Sequence, residues 1–165
     1  MSSAETCVLC RGPSGDPELG RVQIWEDENW RLTMASQGEV EGFSYLEPKR
    51  HVPHITDLAG EEARTLGTVL ALVTRALQEA TDAEVVYVYV FGGGIPHLHL
   101  HLAPHRSGDA LNAQMIRGET TEVHLPSGTT AFSSKEFPPL PAGVHLAVRE
   151  RTRKILYASP ALARE

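Results

Sequence analysis

Residues 92–105 read GGGIPHLHLHLAPH. A β-strand sends alternate side chains to the same face, about 6.6–7 Å apart. If Ile95–Ala103 is a strand, His97, His99 and His101 stand in a row on one face, with Leu98, Leu100 and Leu102 on the other. His105 continues the parity provided the strand survives Pro104. One histidine in such a place reads as a satisfied core residue. Three in strict alternation bring too many polar ring nitrogens to be core filler, because each needs a partner.

Working outward, Val85–Phe91 is β-branched and aromatic throughout, which predicts a strand buried on both faces or nearly so, ended by Gly92, Gly93 and Gly94. Before it, Leu58, Leu66, Val69, Leu70, Val73, Ala76, Leu77 and Ala80 recur at three- and four-residue steps, predicting a long helix from about Leu58 to Ala80 capped by Thr56 or Asp57. Arg21–Trp25, Trp30–Met34 and Phe43–Glu47 read as three further strands, the first two around the acidic turn EDEN and the third ended by Pro48. The expected class is α+β: an antiparallel meander with one long helix on a face. Beyond Ser107 the character changes. Thr121–Leu125 and Thr129–Ser133 form a predicted hairpin, FPPLPAG a stiff linker, and Val144–Tyr157 a terminal helix. Arg149, Arg151, Arg153 and Lys154 crowd that helix, a charge run that ordinarily marks a solvated face. The chain thus divides into residues 1–106 and a 107–165 extension packed on the same domain.

With 165 residues the chain is long enough to bury a core, and its 41% apolar and 22% charged residues are those of a soluble globular protein. A net charge of −6 argues against a general nucleic-acid or anionic-membrane binder. No apolar run reaches the length of a membrane span, and MSSAETCVLC has neither the basic nor the apolar region of a signal peptide, so the expected location is the cytoplasm. There the only cysteines, Cys7 and Cys10 of CVLC, stay reduced. By itself the CxxC pair is compatible with a redox pair or half of a metal site. A thioredoxin-like role needs the pair to open a helix after a strand, whereas CVLC sits in an N-terminal loop.

His97-Leu98-His99-Leu100-His101-Leu102-Ala103 resembles the signature of the histidine-triad (HIT) family, in which histidines alternate with apolar residues. Cys7-Val8-Leu9-Cys10 sits where many bacterial members carry a CxxC, and Leu46–His51 (LEPKRH) resembles the family's VIPKRH segment. The resemblance covers roughly residues 7–106. It implies a HIT-like fold, a homodimer, and a phosphorylated, nucleotide-like small-molecule substrate. It further implies His99 as the nucleophile that forms a covalent intermediate on phosphorus, His101 on the phosphoryl oxygens, and a structural zinc on Cys7, Cys10, His51 and His97. Beside His99 and His101, the side-chain-free Gly92, Gly93 and Gly94 form a candidate phosphate cradle, with His105 as a further contact.

Four departures from the family pattern lie in substrate contacts. LTMASQGEVEGF lacks the ribose-binding aspartate, Phe43 replaces a usual histidine, and Gly92–Gly94 replaces GQS. The asparagine near the preceding strand is also missing. Glu39 or Glu41 could stand in for the ribose carboxylate. Two other functions fit the same residues: a metalloenzyme holding a catalytic metal on His97, His99, His101 and His105, and a non-catalytic ligand-binding protein.

Overall fold

The first three strands follow one another in chain order: β1 (Arg21–Glu26), β2 (Trp30–Ala35) and β3 (Ser44–Pro48) pair antiparallel. The computed structural model describes residues 3–91, 94–109, 120–134 and 138–159. Asp27 makes the β1–β2 turn by accepting hydrogen bonds from the backbone N–H groups of Asn29 and Trp30. The short helix α1 (Ser3–Thr6) precedes two 3₁₀ turns, Leu9–Ser14 and Asp16–Leu19.

The long helix α2 (Gly60–Thr81) carries the expected three- and four-residue repeat and buries Val69, Val73, Ala76, Leu77 and Ala80 against the sheet. Val69, Val73 and Leu77, when fully buried, each stabilise the fold by about 1.5–3 kcal/mol. The expected cap is displaced. Asp57 closes a separate 3₁₀ turn, Ile55–Asp57, by accepting from the His54 N–H, and Ala59 is the cap position of α2. Glu61 and Glu62 in the first turn complement the helix dipole instead.

After α2 the chain runs up β4 (Val85–Tyr89) and returns on β5 (Leu100–His105), which inserts between β3 and β4. The sheet order β1-β2-β3-β5-β4 departs from a pure meander and makes β4 an edge strand. The Val85–Phe91 run is therefore not buried on both faces: Val88 is 42% and Phe91 55% exposed. Composition marks a strand, but its burial depends on which strand fills the neighbouring slot. β5 is also shorter at its start than Ile95–Ala103, because residues 94–97 form a bend. At its other end it survives Pro104. The His105 carbonyl accepts from Glu84 on the β4 side, so Pro104, one residue earlier, directs its missing N–H toward β3, whose pairing ends at Leu102.

The predicted hairpin is β6 (Thr120–His124) with β7 (Thr130–Ser134), and α3 (Ala142–Ala158) follows, two residues longer at its start than its apolar pattern suggests. Val148 and Leu156 of α3 are fully buried in the same core as Leu77 and Leu102. Its arginines are not merely solvated. Arg151 donates through Nε to the Ala80 carbonyl in the last turn of α2, 2.7 Å away, and Arg153 reaches the Gln23 carbonyl of β1 at 3.1 Å. Gly42 (φ 73°) lets the chain pass beneath α2 and α3, where a Cβ would press on Thr81 and Val148 at 2.9 and 3.1 Å.

Candidate functional site

Four residues from three segments converge at one end of β5. Among the described residues, Cys7, Cys10, His51 and His97 are the one group of four that could hold a metal ion, with ligand atoms all within 4.8 Å of one another. The first 3₁₀ turn folds the CVLC loop back on itself. A Cβ at Gly15 would collide with the Val8 carbonyl, so only glycine permits this close return. Val8, Leu9 and Ile95 pack with Cys7 as a small satellite core, and the Leu98 N–H bonds to the Val52 carbonyl at 2.6 Å, bringing His97 beside His51.

Both histidines present Nδ1 to sulfur. Cys10 Sγ lies 3.2 Å from His51 Nδ1, and His97 Nδ1 is 3.4 Å from each thiol. Tetrahedral zinc with Zn–S near 2.3 Å and Zn–N near 2.0–2.1 Å would set such edges at about 3.5 Å, so the donor set fits that ion. His97 Nε2 donates to the Pro48 carbonyl at 2.9 Å, which fixes the tautomer that leaves Nδ1 as a ligand. Burial would raise the Cys7 thiol, but its bonds to His97 and Cys10 hold it below the ordinary value. Burial and the neighbouring Cys7 push Cys10 up to about 12. A cation between the two sulfurs removes the reason for that second proton.

Two residues along, the strand turns to different use. His99 is buried, and its Nδ1 donates to the His97 carbonyl at 2.6 Å, leaving Nε2 as the acceptor nitrogen. Burial chiefly, with the Arg21 and His97 charges, lowers its pKa to about 4, although the bond to the carbonyl works against that shift. The ring is neutral at pH 7. His101 packs 5.0 Å from His99, stacked on Tyr89 at 4.9 Å and 9°, with the edges of Phe43, Tyr45 and Phe91 around it. Phe43, where the family has histidine, is thus a wall of an aromatic box.

The expected row of three histidines on one face is broken. Regular strand begins only at Leu100, so His97 rotates toward the thiols while His99 and His101 face the aromatic rings. His105 stands beside Tyr87, six residues from His99 and about 20 Å along the strand at 3.3 Å per residue. It lines a cavity of about 310 Å³ with Glu39, Glu41 and Arg106. Glu41 is held there by Arg106 at 2.5 Å and Arg151 at 3.6 Å. A catalytic metal shared by His97, His99, His101 and His105 has no geometric support among the described residues, which give only the Cys₂His₂ group. Gly92 and Gly93 lie outside the described residues. Gly94 is described, and a Cβ there would sit 3.5 Å from the Thr130 carbonyl of the C-terminal hairpin. The hairpin turn is held in turn by the Ser127 N–H, which donates to Glu18 at 2.7 Å.

One polar cluster was not read from the sequence. Arg31 donates to Glu47 at 2.5 Å, to both carboxylate oxygens of Asp16 at 2.7 and 3.2 Å, and to Gln23 at 3.2 Å. Arg21 shares Glu47 at 3.3 Å, and its guanidinium carbon lies 3.5 Å from the Tyr45 ring centroid. Burial pushes the Glu47 carboxyl upward against the pull of both arginines. Strand parity was the available signal, because Arg31 pairs with Glu47, and Thr33 with Tyr45, which pairs with His101.

Comparisons with known proteins give this geometry a context. The HIT domain family model matches residues 17–108. An uncharacterized HIT-like protein of Mycobacterium tuberculosis strain H37Rv is 26% identical over 111 residues, covering 64% of this chain and 76% of its own length. The nitrilase and fragile histidine triad fusion protein of Caenorhabditis elegans is 32% identical over 74 residues, 42% of this chain and 17% of that protein. A Zn-bound histidine triad family protein from Mycobacterium smegmatis shares the fold at TM-score 0.63 and 23% identity, covering 94% of this chain and 99% of that one. A histidine triad protein from Bradyrhizobium japonicum reaches TM-score 0.66 at 20% identity, covering 85% and 93%. The family model spans more than half of the chain and takes in the whole sheet, and on that ground the chain belongs to the histidine-triad family.

Proposed function

We propose that this protein is a histidine-triad phosphohydrolase or nucleotidyltransferase that acts on a nucleotide-like or other phosphorylated small molecule through a covalent intermediate on His99. The observation that carries the reading is the 2.6 Å bond from His99 Nδ1 to the His97 carbonyl, which leaves a neutral Nε2 lone pair in a buried site. In the first step that lone pair forms a bond to phosphorus as the bond from phosphorus to the leaving group breaks. The leaving group keeps the electron pair and takes a proton from solvent. Nδ1–H stays on the carbonyl, which shares the positive charge of the phosphorylated ring. Water or another acceptor then attacks phosphorus, the P–N bond breaks, and the acceptor's proton passes to solvent. His101, oriented by the aromatic box, contacts the phosphoryl oxygens, and Gly92, Gly93 and Gly94 offer backbone N–H groups to them. His105 belongs with a more distant part of the substrate, at the cavity it lines.

Cys7, Cys10, His51 and His97 hold a structural zinc in this reading, supported by their convergence and by the Zn-bound relative from Mycobacterium smegmatis. The ion cross-links the N-terminal loop to the start of β5. The molecule is a cytoplasmic homodimer, and the open edge of β4, with Val88, Val90 and Phe91 exposed, is the surface a second copy covers. None of the described helices is long and apolar enough to cross a membrane.

The test is turnover on a panel of nucleoside phosphoramidates, dinucleoside polyphosphates and sugar nucleotides, with acid-labile phosphohistidine trapped on the protein. At least one class should turn over in the wild type and label His99. Silence across the panel, or label on another residue, would sink the proposal.

A further inference from the structure

The buried arginines Arg21 and Arg31 differ in how fully they are used. Arg31 is saturated: Asp16, Glu47 and Gln23 take its N–H groups. Arg21 is also buried, at 7% exposed, yet its fork makes a single hydrogen bond, from Nη1 to Glu47. Its Nε and Nη2 take no hydrogen-bond partner among the described residues. Neither nitrogen is among the buried polar atoms left without a partner, so this edge of the fork is not sealed away and can receive a ligand.

Placement says what that acceptor is. Arg21 begins on β1, but its guanidinium lies over the Tyr45 ring of β3 and reaches Glu47 of the same strand. Tyr45 is opposite His101, with ring centroids 5.3 Å apart, and 6.4 Å from His99. The Arg21 fork, the Tyr45 ring and the two histidines thus form one continuous line of contacts. The rest of that surface is aromatic: Phe43, Tyr89 and Phe91 carry no charge. The loop that replaces GQS brings no hydroxyl. The Arg21 charge is also among the influences felt at His99.

We propose that Arg21 is a substrate-contacting residue of the His99 site, whose free guanidinium edge receives the non-bridging phosphoryl oxygens. A planar fork suits two such oxygens at once, and it stabilises the charge that develops as phosphorus is attacked. Arg21 thereby supplies the donor that the absent hydroxyl and asparagine side chains would otherwise have given. The proposal rests on the reading of His99 as the attacking group, but anion binding can be measured without turnover.

Inorganic phosphate and AMP are titrated into the zinc-loaded protein by calorimetry, with adenosine as the uncharged control. The Arg21 Nε–H resonance of the wild type is followed in parallel, assigned by its loss in Arg21→Lys. Phosphate and AMP should bind and shift that resonance, and His99→Ala should retain the binding. Arg21→Gln should weaken both ligands about tenfold or more, the size of a lost charge-assisted hydrogen bond, with adenosine unaffected. If Arg21→Gln fails to fold, the wild-type resonance alone decides. Phosphate binding that leaves the Arg21 signal unmoved, or equal binding by Arg21→Gln, overturns the proposal while His99 stands. Binding through Arg21 with no turnover on any phosphorylated compound overturns the His99 reading and leaves the anion site.

Discussion

His97 and His99 are two residues apart on one segment, and each ring is fixed by a backbone carbonyl, but through opposite nitrogens. His97 donates Nε2–H to Pro48 and turns Nδ1 to the thiols; His99 donates Nδ1–H to His97 itself and keeps Nε2 open. In the proposed function, this one local choice of carbonyl separates a metal ligand from a nucleophile. The two are also linked in series, because the carbonyl that orients His99 belongs to the residue that the thiols hold. In the proposed function, a metal knot there would position the reactive ring without touching the substrate.

The sharpest way to break this comparison is to remove each ring in turn. His99→Ala should lower turnover by about a thousandfold or more, the scale of losing a covalent nucleophile, with bound zinc unchanged. His97→Ala should lose zinc and turnover together. Metal loss in His99→Ala, or full activity in either variant, would dissolve the distinction.

Next in size is the knot itself. Cys7→Ser or Cys10→Ser should cost about 4 kcal/mol or more, as loss of a structural metal typically does. At about 2–4 °C per kcal/mol for a domain of this size, calorimetry should show the melting temperature falling by about 8–16 °C. A drop under about 2 °C would mean that the four donors contribute little to the fold.

The His99 pKa of about 4 sets the third prediction. Against an unfolded value near 6.5, the unfolded chain binds the extra proton between about pH 4 and 6.5, so stability rises with pH across that window. The contribution, on the order of 3 kcal/mol, is complete above pH 6.5 and lost as pH falls toward 4. His99→Gln should flatten that part of the denaturation profile, and wild-type kcat/KM should hold its plateau down to about pH 5. An unchanged acid slope in His99→Gln would place the titration elsewhere.

The period of α2 was legible because it is a local pattern with one physical meaning, whereas CxxC alone fits two, and only the resemblance to the histidine-triad family joined Cys7 and Cys10 to His51 and His97. The edge position of β4 was not legible, since Val85–Phe91 looks the same whether β5 or solvent lies beside it. The bend over residues 94–97, beyond which His97 and His99 have different partners, breaks an alternation that sequence can only extrapolate. Arg21 was invisible for another reason: it meets Glu47 by reaching across strands, and no spacing along the chain records it. Arg151 and Arg153 show the same limit, where surface-like charges turn out to close the end of α2 and grip β1.

The smallest effect separates orientation by a carbonyl from orientation by packing. His99 is held by a hydrogen bond to a carbonyl, and the face of His101 stacks on Tyr89 at 4.9 Å. Replacing Tyr89 with leucine keeps an apolar neighbour but removes the π-face, a loss of about 0.5–1.5 kcal/mol for an aromatic pair. Turnover should fall by roughly two- to tenfold, read in kcat more than KM if His101 acts on the phosphoryl group as charge develops. Zinc content and the His99 acid limb should be untouched, because neither depends on that stack. A hundredfold loss would show that Tyr89 does more than orient its neighbour, and no loss would show that His101 needs no orienting for the chemistry.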